Sequence, residues 1–375
     1  MDFIELAKSL INHDSTNPPG NEKGCASVLR DYFEDLHLPD STVQLHEFQP
    51  GRANTVVKVG PNVPGLILSG HIDVVPAGDL SKWKSGPFDA EVRGGRLYGR
   101  GAVDMKTAVA AMVGAIHAMK GSRLKRKVVV AATAGEEINC DGLTSMVNDG
   151  VLTKMDAIYS IIGEPSLLEP VRAHRGVSTL KLKFMGKNAH ASKPELGVNA
   201  VEACARVVVG IEAWRKRFEK ERDRDLGITI VSNTVVHGGT KSNIIPDICE
   251  LMIDSRRIPR HTHKYLEAAI MKIVNSATDN QKEVKVKMST IVQNNALRVP
   301  KEHPLVRLAE DVSGHRSTIA TYGTEGPYYT DAGIPAIILG PGSIDVAHSP
   351  NEYIELREAA KAVSIYSELI RRVCC

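Results

Sequence analysis

No apolar run in this chain approaches the roughly 20 residues that a helix needs to cross a bilayer, which excludes a helical membrane span. Neither sign of charge dominates. The 47 lysines and arginines face 44 aspartates and glutamates, a formal net charge of +3, so a polyanion-binding surface is not the chain's main purpose and nucleic acid is not expected as a partner. The N-terminus, Met1-Asp2-Phe3-Ile4-Glu5-Leu6, carries acids where a secretory signal would carry lysine or arginine, and the protein reads as cytoplasmic. Cysteine is present six times but never as Cys-x-x-Cys, so neither a thiolate zinc site nor a disulfide framework is expected. The six are read as reduced thiols, and the last two, Cys374 and Cys375, are expected to fray with the C-terminus. What remains is an ordinary soluble composition, 42% hydrophobic and 24% charged. At 375 residues it is longer than one core usually serves, so two domains are expected.

Helical spacing of apolar residues predicts helices over Phe3 to Ile11 and Glu22 to Leu36, separated by the breaker Asn17-Pro18-Pro19-Gly20. Thr55 to Val59, Leu66 to Ser69, Val128 to Thr133, Ala157 to Ile162 and Ile334 to Leu339 read as strands. Several are almost wholly apolar, as strands covered on both faces are. An alanine-rich helix is expected from Met105 to about Met119, and a closing amphipathic helix from Glu352 to Val373. Around Gly176 the pattern changes. Ser178 to Phe184 alternates polar and apolar residues, followed by a helix from about Val198 to Glu221, strands near Ile228 to Val236 and Ile248 to Ser255, a helix from His263 to Ala277 and a strand from Glu283 to Met288. That order is a split βαβ unit with one wet sheet face. It predicts an inserted domain over 176–289, interrupting an α/β domain made of 1–175 and 290–375.

Polar residues gather where the α/β strands end or a helix begins: His71, Asp104, Glu136, Glu137, Glu164 and His348. Each has a plain explanation of its own. His71 with Asp73, two residues on and on the same face of the strand, suits a buried histidine satisfied by an acid as well as an oriented metal ligand. Asp104 suits a helix N-cap, and Glu136-Glu137 a solvated acidic loop. Taken together they offer imidazole and carboxylate donors without thiolate, a set suited to zinc, manganese or cobalt. The set is larger than one tetrahedral zinc with an open position can use. It fits two metals about 3.5 to 4 Å apart that share a carboxylate.

His71-Ile72-Asp73-Val74-Val75-Pro76, Gly99-Arg100-Gly101-Ala102-Val103-Asp104-Met105-Lys106, Gly135-Glu136-Glu137, Gly163-Glu164-Pro165-Ser166 and Ala347-His348-Ser349-Pro350-Asn351-Glu352 resemble, in order and over nearly the whole chain, the motifs of the M20 family of co-catalytic zinc deacylases and peptidases. Within it the nearest likeness is to the acetylornithine deacetylase and succinyl-diaminopimelate desuccinylase branch. The segments Pro170 to Gly176, Thr324-Glu325-Gly326-Pro327 and Leu339 to Ile344 favour the acetylornithine side.

The resemblance implies a zinc-peptidase-like α/β/α catalytic domain with an inserted ferredoxin-like lid that forms a homodimer. It implies two divalent ions, zinc first and cobalt or manganese as alternatives. Asp104 would bridge them, with His71 and Glu164 completing one site and Glu137 and His348 the other. Asp73 would orient His71, and Glu136 would act as general base. It further implies an oxyanion donor in His190, a plain loop histidine being the other reading. Asn243 and Arg256 would hold the substrate carboxylate, with Arg257 the neighbouring alternative, and Gly323 and Thr324 would add contacts. A cis peptide is implied after Asp104. The implied reaction is hydrolysis of a small N-acylated amino acid, N-acetylornithine foremost, a step of arginine biosynthesis. N-succinyl-diaminopimelate, another N-acyl amino acid or a dipeptide are alternatives, as is a binding protein that keeps the fold without catalysis.

Overall fold

The computed structural model describes residues 2–279 and 283–375; Met1, part of the N-terminal reading, lies outside them. By contact density the chain separates into two compact units. The first is 1–173 with 297–319 and 324–375, and the second 174–296 with 320–323.

The first unit is a mixed α/β fold built on a central mixed sheet. Its middle strands, Val128–Thr133, Gly65–His71, Ala157–Pro165 and Ala336–Gly340, lie side by side and parallel. Every residue of Gly65–His71 and of Val128–Thr133 is buried, which is why these segments carry unbroken apolar runs rather than an alternation. The parallel register sets His71 opposite Thr133, so the strand ends that bear the polar residues emerge at one edge of the sheet. Antiparallel strands Arg52–Val59 and Ser41–Gln49 extend one side. Ser41–Gln49 escapes sequence reading because its exposure alternates at the sheet's edge, with polar residues at most positions. Helices Phe3–Ile11, Lys23–Leu36, Lys106–Ala118 and Leu356–Cys374 pack into one core with the sheet.

Two local expectations are corrected. The Lys106–Ala118 helix has Met105, not Asp104, at its N-cap, with no side-chain cap bond; the Asp104 carboxylate is used elsewhere. Cys374 does not fray. It is buried in the last turn of the final helix, and its carbonyl accepts the backbone N–H groups of Lys125 and Arg126 at 2.6 and 3.1 Å. The apolar stripe of that helix, including Ile365, Leu369 and Ile370, draws the terminus into the core.

The second unit is a four-stranded antiparallel sheet in the spatial order Ile230–Gly238, Ile248–Arg257, Gly176–Met185, Lys285–Asn294. Gly176–Met185 and Ile248–Arg257 alternate buried and half-exposed residues, as a sheet with one covered face requires. Helices Ala200–Arg215 and His263–Thr278 supply the cover, with Leu180, Leu182, Phe184, Val207, Ile253 and Ile270 in its core. The first of these helices is shorter than expected: it tightens to a 3-10 turn at Lys216–Lys220, where Phe218 is buried.

Candidate metal centre

Asp104 is the hub. Its Oδ1 lies 2.9 Å from Nε2 of His71, and its Oδ2 lies 3.2 Å from Nε2 of His348. His71 Nε2 is also 3.5 Å from Oε1 of Glu164, and His348 Nε2 is 3.3 Å from Oε2 of Glu137. Two groups of donor atoms each fit within 4.8 Å: His71, Asp104 and Glu137, and His71, Glu136 and Glu164. All six residues belong to the first unit: His71, Glu136, Glu137, Glu164 and His348 sit at the ends of its parallel strands or in the segments that follow them, and Asp104 in the loop between Arg96–Tyr98 and the Lys106–Ala118 helix.

The backbone that presents them has specific causes. Gly101, at φ +85°, and Gly135, at φ +83°, hold left-handed turns before Asp104 and Glu136 that other residues rarely adopt. The Asp104–Met105 peptide is cis. Asp73 is fully buried, and its Oδ1 accepts the N–H groups of Gly135 and Glu136 at 2.9 and 3.1 Å, its Oδ2 those of Glu137 and the Asn17 amide at 3.2 and 2.9 Å. Nδ1 of His71 instead meets the backbone carbonyl of Asp73 at 2.9 Å, with the carboxylate 3.6 Å away. The ring's hydrogen bond thus goes to the carbonyl, which accepts the Nδ1–H and leaves Nε2 turned toward Asp104, while the Asp73 carboxylate stays beside it as an electrostatic partner.

The electrostatics describe a site that calls for positive charge. Burial opposes protonation of His71, yet the carboxylates of Glu164, Asp104 and Asp73 outweigh it and raise its pKa well above the ordinary imidazole value. Hydrogen bonds to Asp104 and Glu137 push His348 up to about 10. Burial raises Glu136 and Glu164 well above the usual carboxylate range, and Glu137 above it. Burial also works against Asp104, but its bonds to His348 and His71 prevail and hold it low. Oε1 of Glu137 is buried with no hydrogen-bond partner. Crowded buried carboxylates with an orphaned oxygen are costly unless cations join them. The donor set of imidazole nitrogen and carboxylate oxygen fits zinc-type divalent ions.

Of the residues expected to contact substrate, His190, Asn243, Arg256 and Gly323 belong to the second unit and Thr324 to the first. In the second unit, His190 and Asn243 are brought together: His190 pairs with Ile244 across a short antiparallel bridge, and the Asn243 carbonyl accepts the Ala191 N–H at 2.9 Å. The exposed His190 ring lies 2.7 Å through Nδ1 from Oγ of Ser192. Arg256 keeps its guanidinium half-exposed, 3.1 Å from Asp254. Arg257 is buried and spends its guanidinium on the carbonyls of His261, Asn294 and Val177 at 3.1, 2.7 and 3.3 Å. Gly323 belongs to the second unit, whereas Thr324 is buried in the first, its hydroxyl accepting the Gly326 N–H at 3.1 Å.

Sequence reasoning gave no role to three buried residues around the centre. Glu325 takes the hydroxyls of Ser69 and Thr133, the latter at 2.7 Å, with Tyr329 on Ser69. Glu352 and Arg100 form an ion pair at 2.6 Å. All lie inside or beside the recognised motifs, but only the fold shows what they touch.

Imidazole and carboxylate donors converging in this way make a site for divalent cations. The description "Peptidase family M20/M25/M40" matches residues 67–372, and the chain belongs to that family. An acetylornithine deacetylase of Vibrio atlanticus is 33% identical, across 99% of this chain and 98% of that one. Among solved structures, a tripeptidase from Staphylococcus aureus superposes with a TM-score of 0.77 at 22% identity, covering 99% and 97% of the two chains. A Bacillus subtilis protein described as a dinuclear metal binding peptidase from the M20 family superposes with a TM-score of 0.70 at 15% identity, covering 98% and 96%. Among the described residues no helix is long and apolar enough to cross a membrane.

Proposed function

We propose that this chain hydrolyses the amide bond of a small N-acylated amino acid, with N-acetylornithine as the preferred substrate. The observation that carries the reaction class is the double-facing Asp104 carboxylate, one oxygen toward His71 and the other toward His348. The substrate rests on the full-length likeness to the acetylornithine deacetylase.

His71 and Glu164 would hold one divalent ion and Glu137 and His348 a second, with Asp104 between them. Such a pair of ions, zinc by preference, supplies Lewis acidity that acidifies water and polarises the acyl carbonyl. Glu136 remains as the base. It would take a proton from the attacking water and return it to the leaving amine. Asp73 supports this step by fixing the backbone of residues 135–137.

To the inserted unit we assign dimerisation, with His190 as the oxyanion donor and Asn243 and Arg256 as holders of the substrate carboxylate. A guanidinium fork matches a carboxylate, and Arg256 is the more accessible of the two, half-exposed in an ion pair with Asp254, whereas Arg257 is buried on three carbonyls. Gly323 and Thr324 would add backbone and hydroxyl contacts. A strictly monomeric, fully active protein in sedimentation would remove the dimer role.

The test is a panel of substrates: N-acetylornithine, N-acetylmethionine, N-succinyl-diaminopimelate and a dipeptide, given to the metal-loaded protein. The proposal expects the highest kcat/KM for N-acetylornithine. A higher value for the dipeptide or the succinylated compound would move the assignment within the family.

A further inference from the structure

We infer that Glu352 is a positioning residue for the metal centre: its buried carboxylate clamps the two peptide N–H groups that present Asp104. The inference rests on the metal-binding part of the reading above.

Glu352 follows His348 by four residues and is buried. Its Oε1 accepts the backbone N–H groups of Val103 and Asp104 at 2.9 and 3.1 Å. Its Oε2 accepts from Nη1 of Arg100 at 2.6 Å, and its carbonyl accepts the Gly99 N–H at 3.0 Å. Glu352 thus grips the Gly99–Asp104 loop at four points. The chain that delivers His348 is thereby tied to the chain that delivers Asp104. The two ligands lie far apart in sequence yet must meet within hydrogen-bond distance.

The chemistry of the clamp is specific. The loop that turns through Gly101 to Asp104 has no helix or strand to take its N–H groups, and a buried N–H without an acceptor is costly. One carboxylate oxygen satisfies two of them. Arg100 is buried too, and its Nη2 reaches the Pro76 carbonyl at 3.3 Å. Its charge offsets part of the cost of burying the Glu352 carboxyl. The peptide bearing the bridging carboxylate is therefore set by an acceptor that does not itself face the ions. Partners of this kind around metal ligands typically matter about 10- to 100-fold in affinity.

Because one partner of a buried ion pair is poorly removed alone, the test compares two charge-neutral double variants, Arg100→Met with Glu352→Gln and Arg100→Met with Glu352→Met. They differ only in whether residue 352 offers an oxygen to the Val103 and Asp104 N–H groups. Each metal-free protein is titrated with cobalt(II) and followed by its visible absorption, beside thermal unfolding without metal. The glutamine variant should bind within a few-fold of the wild type, and the methionine variant about 10- to 100-fold more weakly with an altered spectrum. Equal cobalt affinity in the two would overturn the assignment. So would failure of both to fold, since Glu352 would then serve stability alone. Amide hydrolysis plays no part in the comparison, so an error in the substrate leaves its result standing.

Discussion

The carboxylate of Asp73 stands 3.6 Å from the His71 imidazole and hydrogen-bonds instead to the N–H groups of Gly135, Glu136 and Glu137. Asp73 therefore joins the strand of the first metal-ligand candidate to the loop of the base. Asp73→Asn turns one acceptor oxygen into a donor amid these N–H groups and the Asn17 amide. It should lower kcat about 10- to 100-fold with a smaller change in KM and cost about 1–3 kcal/mol of stability. Steady-state kinetics and chemical denaturation check both. An unchanged kcat would show that the loop does not need the anchor.

Glu136 is assigned the proton, not a metal, although its carboxyl lies within 4.8 Å of donor atoms on His71 and Glu164. Glu136→Ala should keep the metal content and lose about 10²- to 10⁴-fold in kcat. If metal content falls in step with activity, Glu136 is a ligand and the base lies elsewhere.

Arg256 and Arg257 are neighbours with opposite surroundings, one half-exposed and the other buried on three carbonyls. Arg256→Ala should raise KM for substrates bearing a free carboxylate and leave the folded state intact. Arg257→Ala should destabilise the protein by about 1–3 kcal/mol, since the carbonyls it serves lose their donor. Thermal unfolding of the two variants separates them, and a KM effect confined to Arg257→Ala would reverse the assignment.

His174, in the second unit, adds a pH dependence of its own. It is fully buried, its Nδ1 2.8 Å from the Arg175 carbonyl, and burial lowers its pKa to about 4. The unfolded chain, with an ordinary imidazole near 6.5, binds a proton that the folded chain refuses. Stability from this group is thus complete above pH 6.5 and is lost as pH falls toward 4, by about 3 kcal/mol in all. The difference in unfolding free energy between wild type and His174→Gln, measured from pH 7 to 4, should shrink over that window. A constant difference would show that His174 is not protonated on unfolding.

Much of this was legible in the sequence, for reasons visible in particular residues. Leu66 to Leu68 and Val128 to Ala132 are apolar throughout because both faces are covered, and that same burial makes the polar residues at their ends conspicuous. Asp104 and His348 could be paired only as motif members. Their meeting depends on Glu352 and Arg100, which lie 252 residues apart and show no periodicity. Asp73 could be placed beside His71, but strand alternation fixes only the face of a side chain, not that the ring's hydrogen bond goes to the carbonyl while the carboxylate stands 3.6 Å away. Cys374 looked like a loose end because sequence position says nothing of the stripe that draws its helix inward.

The central claim, that these donors form a metal-dependent amide hydrolase, is tested most directly by one titration. The protein is stripped with a chelator and given zinc in steps, while bound metal and the release of ornithine from N-acetylornithine are measured together. The account predicts hydrolysis absent without metal, restored on zinc binding and complete near two ions per chain. Zinc bound at the site with no hydrolysis of any acylated amino acid would contradict it.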